Sequence, residues 1–343
     1  MLRKLSLSCA SLLIALLAAE LLIRIAGAAP EVSVIRKGRF QLSRNPKIGF
    51  EPVPGLRYEG EDLSFYDYEG ASNRLGYRDR DHEIAKPAGV WRIVVLGDSI
   101  GAGLRVERFE DTFPAVLERR LREQGVNSEV INLSVSGYNT QQEVETLVEK
   151  GLRYRPDLVL VAYSLTDRER VDGDILKTLL EAERSQGGGS ARRVHPWLLQ
   201  SALYRFVRYR VAPPRPVQAS DAELQKLTDL ISGDTVARYF ATLGDLGSRE
   251  GFRVMIAVFP RIVRNFESYR FADQHRYVRN LSRVHGFFHL DLLPEFARCR
   301  EASPEPIGAD NYHPSAAGHR CAAEAMARVI LEKVRPPRRE LAP

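Results

Sequence analysis

The sequence predicts a three-layer α/β/α sandwich, a parallel sheet covered by helices on both faces. Three observations carry this reading. Short apolar runs rich in β-branched residues recur along the chain, stretches of helical period lie between them, and the two kinds of segment alternate. Arg92-Ile93-Val94-Val95-Leu96, ended by Gly97, reads as a strand buried on both faces. Thr112 to Gln124 follows with Phe113, Val116, Leu117 and Leu121 on one helical face, stopped by Gly125. Glu129 to Leu133 is a second strand and Gln141 to about Leu152 a second helix. Asp157 to Tyr163, Arg253 to Pro260 and Phe287 to Asp291 supply three more strands. Ser315 to Val334 closes the domain as a helix, with Cys321, Ala325 and Val329 on one stripe. Such alternation implies right-handed crossovers.

The segments outside this frame read differently. Arg3 and Lys4 precede an apolar run from Leu5 to Ala19, then Glu20 and Arg24 interrupt a second apolar stretch. Residues 1–29 therefore read as a signal peptide or an N-terminal membrane anchor. Ala26-Gly27-Ala28 offers a cleavage site, whereas Glu20 and Arg24, at i, i+4 spacing, can pair on an uncleaved helix. Arg36, Lys37 and Arg39 do not favour an exported C-terminus, but long domains translocate largely regardless of such charges. Residues 30–90 form an irregular lead-in with short strands, and 91–335 the main domain. Residues 168–251 read as an insertion too long for a simple crossover. Within it Gly187-Gly188-Gly189-Ser190 is a flexible loop, and Trp197 to Val211 an amphipathic element. That element is either a helix packed on the domain or a lid or membrane-surface helix. Pro213 to Pro216 ends it, and a helix resumes at Asp221. The insertion is the expected determinant of substrate choice. The basic, Pro-rich stretch 336–343 is expected to be disordered.

Composition narrows the function. The chain has 343 residues and a formal charge of +6, but its arginines are scattered and no aromatic-interleaved basic motif occurs, so nucleic acid is not an expected partner. There are three cysteines and neither CxxC nor HExxH, so no metal site is expected. Cys9 lies in the N-terminal segment, in poor context for lipid attachment. Cys299 and Cys321 flank the segment carrying the candidate base, and are either a disulfide, which needs an oxidising compartment, or two buried thiols.

The chemistry is expected beyond the carboxyl ends of the strands. Gly97-Asp98-Ser99 sits there after the first strand, where a serine on a sharp turn exposes its hydroxyl and its own N–H. Ser136-Gly137-Tyr138 follows the second strand, and Gly137 can bring an N–H close to a substrate. Asp310-Asn311-Tyr312-His313-Pro314 precedes the last helix. An Asp and a His three residues apart can lie side by side, the carboxylate fixing the tautomer of the imidazole. Each segment alone also reads as a turn or a helix cap.

In this order the segments resemble the SGNH, or GDSL-type, hydrolase family. The resemblance runs from about Asn73 to Val334. It rests on Val95 to Ser99, Ile131-Asn132, Ser136 to Tyr138, Arg155 to Val159, and Asp310 to Pro314 with Gly318-His319. It implies a flavodoxin-like five-stranded parallel sheet, Ser99 as nucleophile, His313 as base and Asp310 as its orienting acid. It also implies an oxyanion hole from the N–H groups of Ser99 and Gly137 and an asparagine after the third strand. Here that block reads Ser164-Leu165-Thr166-Asp167, with Thr166 at the asparagine position. Losing one such donor costs about 3–4 kcal/mol, ~10²–10³ in kcat. Asn139 is a candidate replacement by proximity, and Asp98 and Asp167 read as loop-fixing residues. The resemblance implies a serine esterase that needs no cofactor and acts on O-acyl, chiefly O-acetyl, groups of envelope glycans or lipids. Such a chain is expected outside the cytoplasm, held in the inner membrane by its N-terminal segment. An O-acyltransferase of extracytoplasmic polysaccharide and a catalytically weak glycan-binding protein are the alternatives.

Overall fold

A computed structural model describes residues 2–29, 39–58, 70–185, 198, 200–211, 220–231 and 235–336. The chain divides into two compact units, one of Met1–Arg39 with Asp174–Leu224, the other of Phe40–Gly173 with Gln225–Pro343.

The larger unit holds the predicted sandwich. Two small antiparallel pairs come first, β1 (Phe40–Leu42) with β2 (Phe50–Pro52), and β3 (Arg57–Tyr58) with β4 (Gly70–Ala71). The main sheet consists of β5 (Trp91–Gly97), β6 (Ser128–Asn132), β7 (Leu158–Tyr163), β8 (Arg253–Val258) and β9 (Phe288–Asp291). All five are parallel, in the order β6-β5-β7-β8-β9. This is the flavodoxin-like sheet that was expected. The two faces of each central strand serve different layers. Ile93, Val95, Leu158, Leu160 and Met255 pack with Phe113, Val116, Leu117 and Leu121 of the Phe113–Glu123 helix. Phe296, Ala322 and Met326 of the Leu293–Ala302 and Ala316–Val329 helices complete that layer. The Thr140–Glu149, Val236–Glu250 and Ala272–Val284 helices cover the opposite face, where Phe240 meets Tyr163 edge to face.

The structure adds elements that the periodicity did not disclose. The Ala272–Val284 and Leu293–Ala302 helices were not expected. Each is rich in charge, and the first buries only His275, Val278 and Ser282. Val236–Glu250 buries Val236, Tyr239, Phe240, Leu243 and Leu246 against the sheet, so it is the crossover helix into β8. The excursion between β7 and β8 that forms a separate unit is thus Asp174–Leu224, shorter than the 168–251 insertion expected. After β5 there is only a four-residue helix, Ser99–Ala102.

The lead-in is integral to this unit. Ile48, Phe50 and Tyr77 are buried, and Phe50 packs edge-on against Tyr138. Buried charge ties it to the sheet. His82 lies between Asp79 (2.9 Å) and Glu129 (2.8 Å), and Arg92 Nε donates to the second Glu129 oxygen at 2.6 Å. Burial alone would lower the His82 pKa, but its bonds to Asp79 and Glu129 lift it to about 9.

The smaller unit contains the Leu2–Ile25 helix, nearly all of Gly173–Ser185, and Ala202–Phe206, which continues as a π-turn over Val207–Val211. Glu20 bonds the Arg24 guanidinium at 2.7 Å, as its spacing allows. It also caps the Ala202–Phe206 helix, accepting the N–H groups of Ala202 (2.9 Å) and Leu203 (2.8 Å) and the Ser201 hydroxyl. Leu12, Leu13, Ile14 and Leu22 are largely exposed. Among the described residues no helix is long and apolar enough to cross a membrane. Arg36 and Lys37, Gly187 to Ser190, Trp197, Pro213 to Pro216 and the tail from Pro337, like the Cys9 side chain, lie outside what is described.

Candidate active site

The carboxyl edge of the sheet brings the chosen residues together. β5 ends at Gly97, and Asp98 caps the short helix that begins with Ser99, accepting the Ile100 N–H at 2.9 Å. The turn is pressed onto the β6 loop. A Cβ at Gly101 would come within 2.1 Å of the Ser134 Oγ, so only glycine fits there. Asn132 donates to the Gly101 carbonyl at 3.0 Å and accepts the Ser134 N–H, locking the two loops together.

Ser99 Oγ lies 3.0 Å from His313 Nε2, and His313 Nδ1 lies 2.7 Å from Asp310 Oδ2. The other Asp310 oxygen accepts the N–H groups of Tyr312 and His313, both at 2.7 Å. The local Asx-turn and the Asp–His pair, rival readings of this segment, are therefore one structure. Ser315 caps the following helix instead. Burial would raise the Asp310 pKa. The His313 N–H, the imidazole and then Arg105, 3.7 Å away, outweigh it and hold the carboxyl below its usual value. Arg105 itself sits at a φ of 69°, a left-handed conformation costly for a non-glycine residue.

Cys299 and Cys321 are joined as a disulfide between the last two helices. His319 packs inward and is fully buried. Its Nδ1 accepts the Phe113 N–H at 3.0 Å, capping a helix whose own N-cap, Thr112, makes no side-chain capping bond and turns its hydroxyl to the Phe109 carbonyl instead. Burial drives the His319 pKa down to about 3, so the ring stays neutral.

The oxyanion side departs from the expected pattern. Thr166 Oγ1 lies 3.2 Å from Asp98 Oδ2 and 2.6 Å from Ser164 Oγ. Ser164 Oγ in turn lies 2.8 Å from Asp98 and 2.9 Å from Asp167. The two hydroxyl protons are shared among four close contacts, a setting in which a proton on one of the two carboxyls is favoured. Burial pushes the pKa of Asp98 up, and that of Asp167 well up, in agreement. Glu143 adds a third buried carboxyl, with neither oxygen bonded among the described residues, and burial raises its pKa strongly as well. Asn139 is not free to replace the missing asparagine. It caps the Thr140–Glu149 helix, accepts the Gln142 N–H and donates to the Glu169 carbonyl at 3.2 Å. Gly137 is exposed, at a φ of 84°.

These groups surround a cavity of about 220 Å³ lined by Asp98, Ser99, Ser164, Thr166 and His313, with Phe259, Arg261 and Tyr312 opposite. Gly137 is not among its lining residues. Arg261 was not anticipated. Its guanidinium carbon lies 3.3 Å from the centre of the Tyr312 ring. Behind it a buried chain runs from the Arg261 N–H to the Tyr269 hydroxyl (2.9 Å), on to His275 Nε2 (3.0 Å), and from His275 Nδ1 to Asp291 (2.8 Å). No local motif signals it, because its members come from a loop, a helix and a strand. Among the described residues, no cluster of His, Cys, Asp or Glu could hold a metal ion.

An arylesterase of Vibrio mimicus is 36% identical over 76 residues, 22% of this chain, and the match spans 38% of that protein's length. Among solved structures, the acetyl xylan esterase AlAXEase aligns at 15% identity over 70% of this chain and 99% of its own, with a TM-score of 0.41. A catalytic mutant of Axe2, an acetylxylan esterase from Geobacillus stearothermophilus, aligns at 16% identity over 69% and 93%, with a TM-score of 0.42. Residues 95–321, from β5 into the last helix, match the GDSL-like Lipase/Acylhydrolase family, and the chain belongs to that family.

Proposed function

We propose that this protein is a serine esterase that removes short O-acyl groups, chiefly acetyl, from envelope glycans or lipids. The observation that carries this reading is the continuous hydrogen-bonded path Asp310–His313–Ser99, opening into the cavity. Ser99 Oγ attacks the ester carbonyl as its proton passes to His313 Nε2. Asp310 accepts the Nδ1–H and stabilises the imidazolium. As the tetrahedral intermediate collapses, the alcohol leaves with the proton from His313, and Ser99 is acylated. Water, deprotonated by the same imidazole, releases the acid and restores Ser99. The Ser99 N–H stabilises the oxyanion, and Gly137, outside the cavity lining, does not reach it. Thr166 adds its proton when Asp98, protonated, donates to it. A cavity of about 220 Å³ favours a short acyl group over a long chain.

The same reading places the protein outside the cytoplasm, attached to the inner membrane through the Leu2–Ile25 helix. The exposed leucines of that helix support it, as does the bonding of Glu20 to the Ala202 and Leu203 amides, which makes the helix part of a folded unit. The Cys299–Cys321 disulfide suits an oxidising compartment.

The test is hydrolysis of p-nitrophenyl acetate by the full chain and by Ser99→Ala. Turnover by the wild type alone upholds the esterase reading. Equal, background rates in both reject it and leave the acyltransferase and the glycan-binding protein.

A further inference from the structure

Arg261 is built into the site in a way that the triad does not explain. Arg261, half-buried, lines the cavity that holds Ser99 and His313, and its guanidinium stacks on Tyr312, another lining residue. Among the described residues, no carboxylate lies within 4.0 Å of its nitrogens, although Glu169 and Asp98 act on it from farther away. A guanidinium keeps its charge when partly desolvated, and its planar fork pairs two-fold with carboxylate or phosphate oxygens. Its backbone is fixed from two sides. The Tyr269 hydroxyl accepts the Arg261 N–H, and the Ile262 N–H donates to the Asn311 carbonyl (2.9 Å), on the loop that carries His313. Tyr269 is held in turn by His275 Nε2, and His275 Nδ1 by Asp291. Tyr312, 48% exposed, marks the open side of the cavity, where the alcohol portion of an ester would lie once the acyl carbonyl meets Ser99.

We propose that Arg261, braced on Tyr312, is an anion-recognition subsite, and that the ester taken by this protein carries a carboxylate or phosphate on its alcohol portion. The proposal rests on the esterase reading for the identity of the substrate, but not for the binding itself. In a glycan the carboxylate source is an acidic sugar bearing the O-acyl group, and the phosphate source a phosphorylated one.

The experiment measures calorimetric affinity on full-length Ser99→Ala, which cannot turn substrate over. The probes are 4-acetoxybenzoate, 4-acetoxyphenyl phosphate and the neutral methyl 4-acetoxybenzoate. At least one anion should bind ~10-fold or more tightly than the neutral ester, as a charge-assisted pair implies. The stronger of the two identifies the source. Adding Arg261→Gln should bring that ratio close to one, with the melting temperature held. Adding Arg261→Lys should reduce it without abolishing it, since a point charge remains. Lack of anion preference in Ser99→Ala, or a preference undiminished in Arg261→Gln, overturns the proposal. If Arg261→Gln does not fold, a preference undiminished in Arg261→Lys does the same. Failure of the wild type to cleave p-nitrophenyl acetate would count against the esterase reading alone.

Discussion

The larger unit contains two Asp–His–hydroxyl chains of nearly the same dimensions. In one, Asp310 meets His313 at 2.7 Å and His313 meets Ser99 at 3.0 Å. In the other, Asp291 meets His275 at 2.8 Å and His275 meets Tyr269 at 3.0 Å. Hydrogen-bond geometry does not separate them. What separates them is where the hydroxyl stands. Ser99 opens into a cavity, so its proton transfer can be coupled to attack on a bound carbonyl. The Tyr269 hydroxyl is buried and accepts the Arg261 N–H, so that chain fixes a loop. An Asp–His pair is thus a device for holding an imidazole in one tautomer, and the setting decides whether the result is chemistry or architecture. His82 is a further variant. With a carboxylate on each ring nitrogen, it has no hydroxyl to act on and stays charged.

Substitution tests the contrast most severely at the two histidines. His313→Ala is expected to lower kcat for p-nitrophenyl acetate by about 10⁴-fold or more. His275→Ala should lower it far less. Its chief effect should be a loss of stability, about 1–3 kcal/mol, from leaving the Tyr269 and Asp291 groups unpaired. Similar kinetic losses in both variants would erase the distinction. Urea unfolding and steady-state kinetics on the same preparations check it.

Removing the histidine clamped between two carboxylates should act on stability alone. His82→Leu leaves Asp79 buried without its cation and Glu129 with Arg92 alone, at a cost of about 3–5 kcal/mol. In the wild type the sign follows from the pKa values. His82 is raised from 6.5 to about 9, so its stabilisation is complete below 6.5 and fades as pH rises through 9. Glu129, lowered from 4.5 to about 2 against its own burial by His82 and Arg92, contributes fully above 4.5 and fails as pH falls through 2. The melting temperature should therefore decline between pH 6.5 and 9 in the wild type, and show a flatter decline in His82→Leu.

The oxyanion side predicts a gain. Thr166→Asn should raise kcat by up to about 10²-fold, because the amide reaches farther and supplies a donor not spent on Asp98. A fall in kcat would mean that the Asp98–Ser164–Thr166 network is itself part of a working site.

How much of this was legible in the sequence depends on how local each feature is. The three central strands, β5, β7 and β8, are nearly continuous apolar runs because both faces of the sheet are buried there, and they can be read directly. Asp310 and His313 are three residues apart, so their pairing needs only a turn. By contrast, Asp291 and His275 are joined by the packing of a helix on a strand, and that helix shows too narrow an apolar stripe to announce itself. Arg261 follows a strand like any solvated arginine, and nothing in its neighbours shows that Tyr312, far along the chain, lies beneath it. The Thr166 departure was visible as a change of letter. The burial that raises the pKa values of Asp98 and Asp167, and so bears on what Thr166 can donate, was not.

The central claim is that Ser99, and not another hydroxyl, is an activated nucleophile. Labelling the full chain with a fluorophosphonate and mapping the adduct by mass spectrometry tests it most directly. The account predicts one phosphonylated peptide, modified at Ser99, with labelling abolished in Ser99→Ala and greatly slowed in His313→Ala. No adduct, or an adduct at another residue that persists in Ser99→Ala, would contradict it.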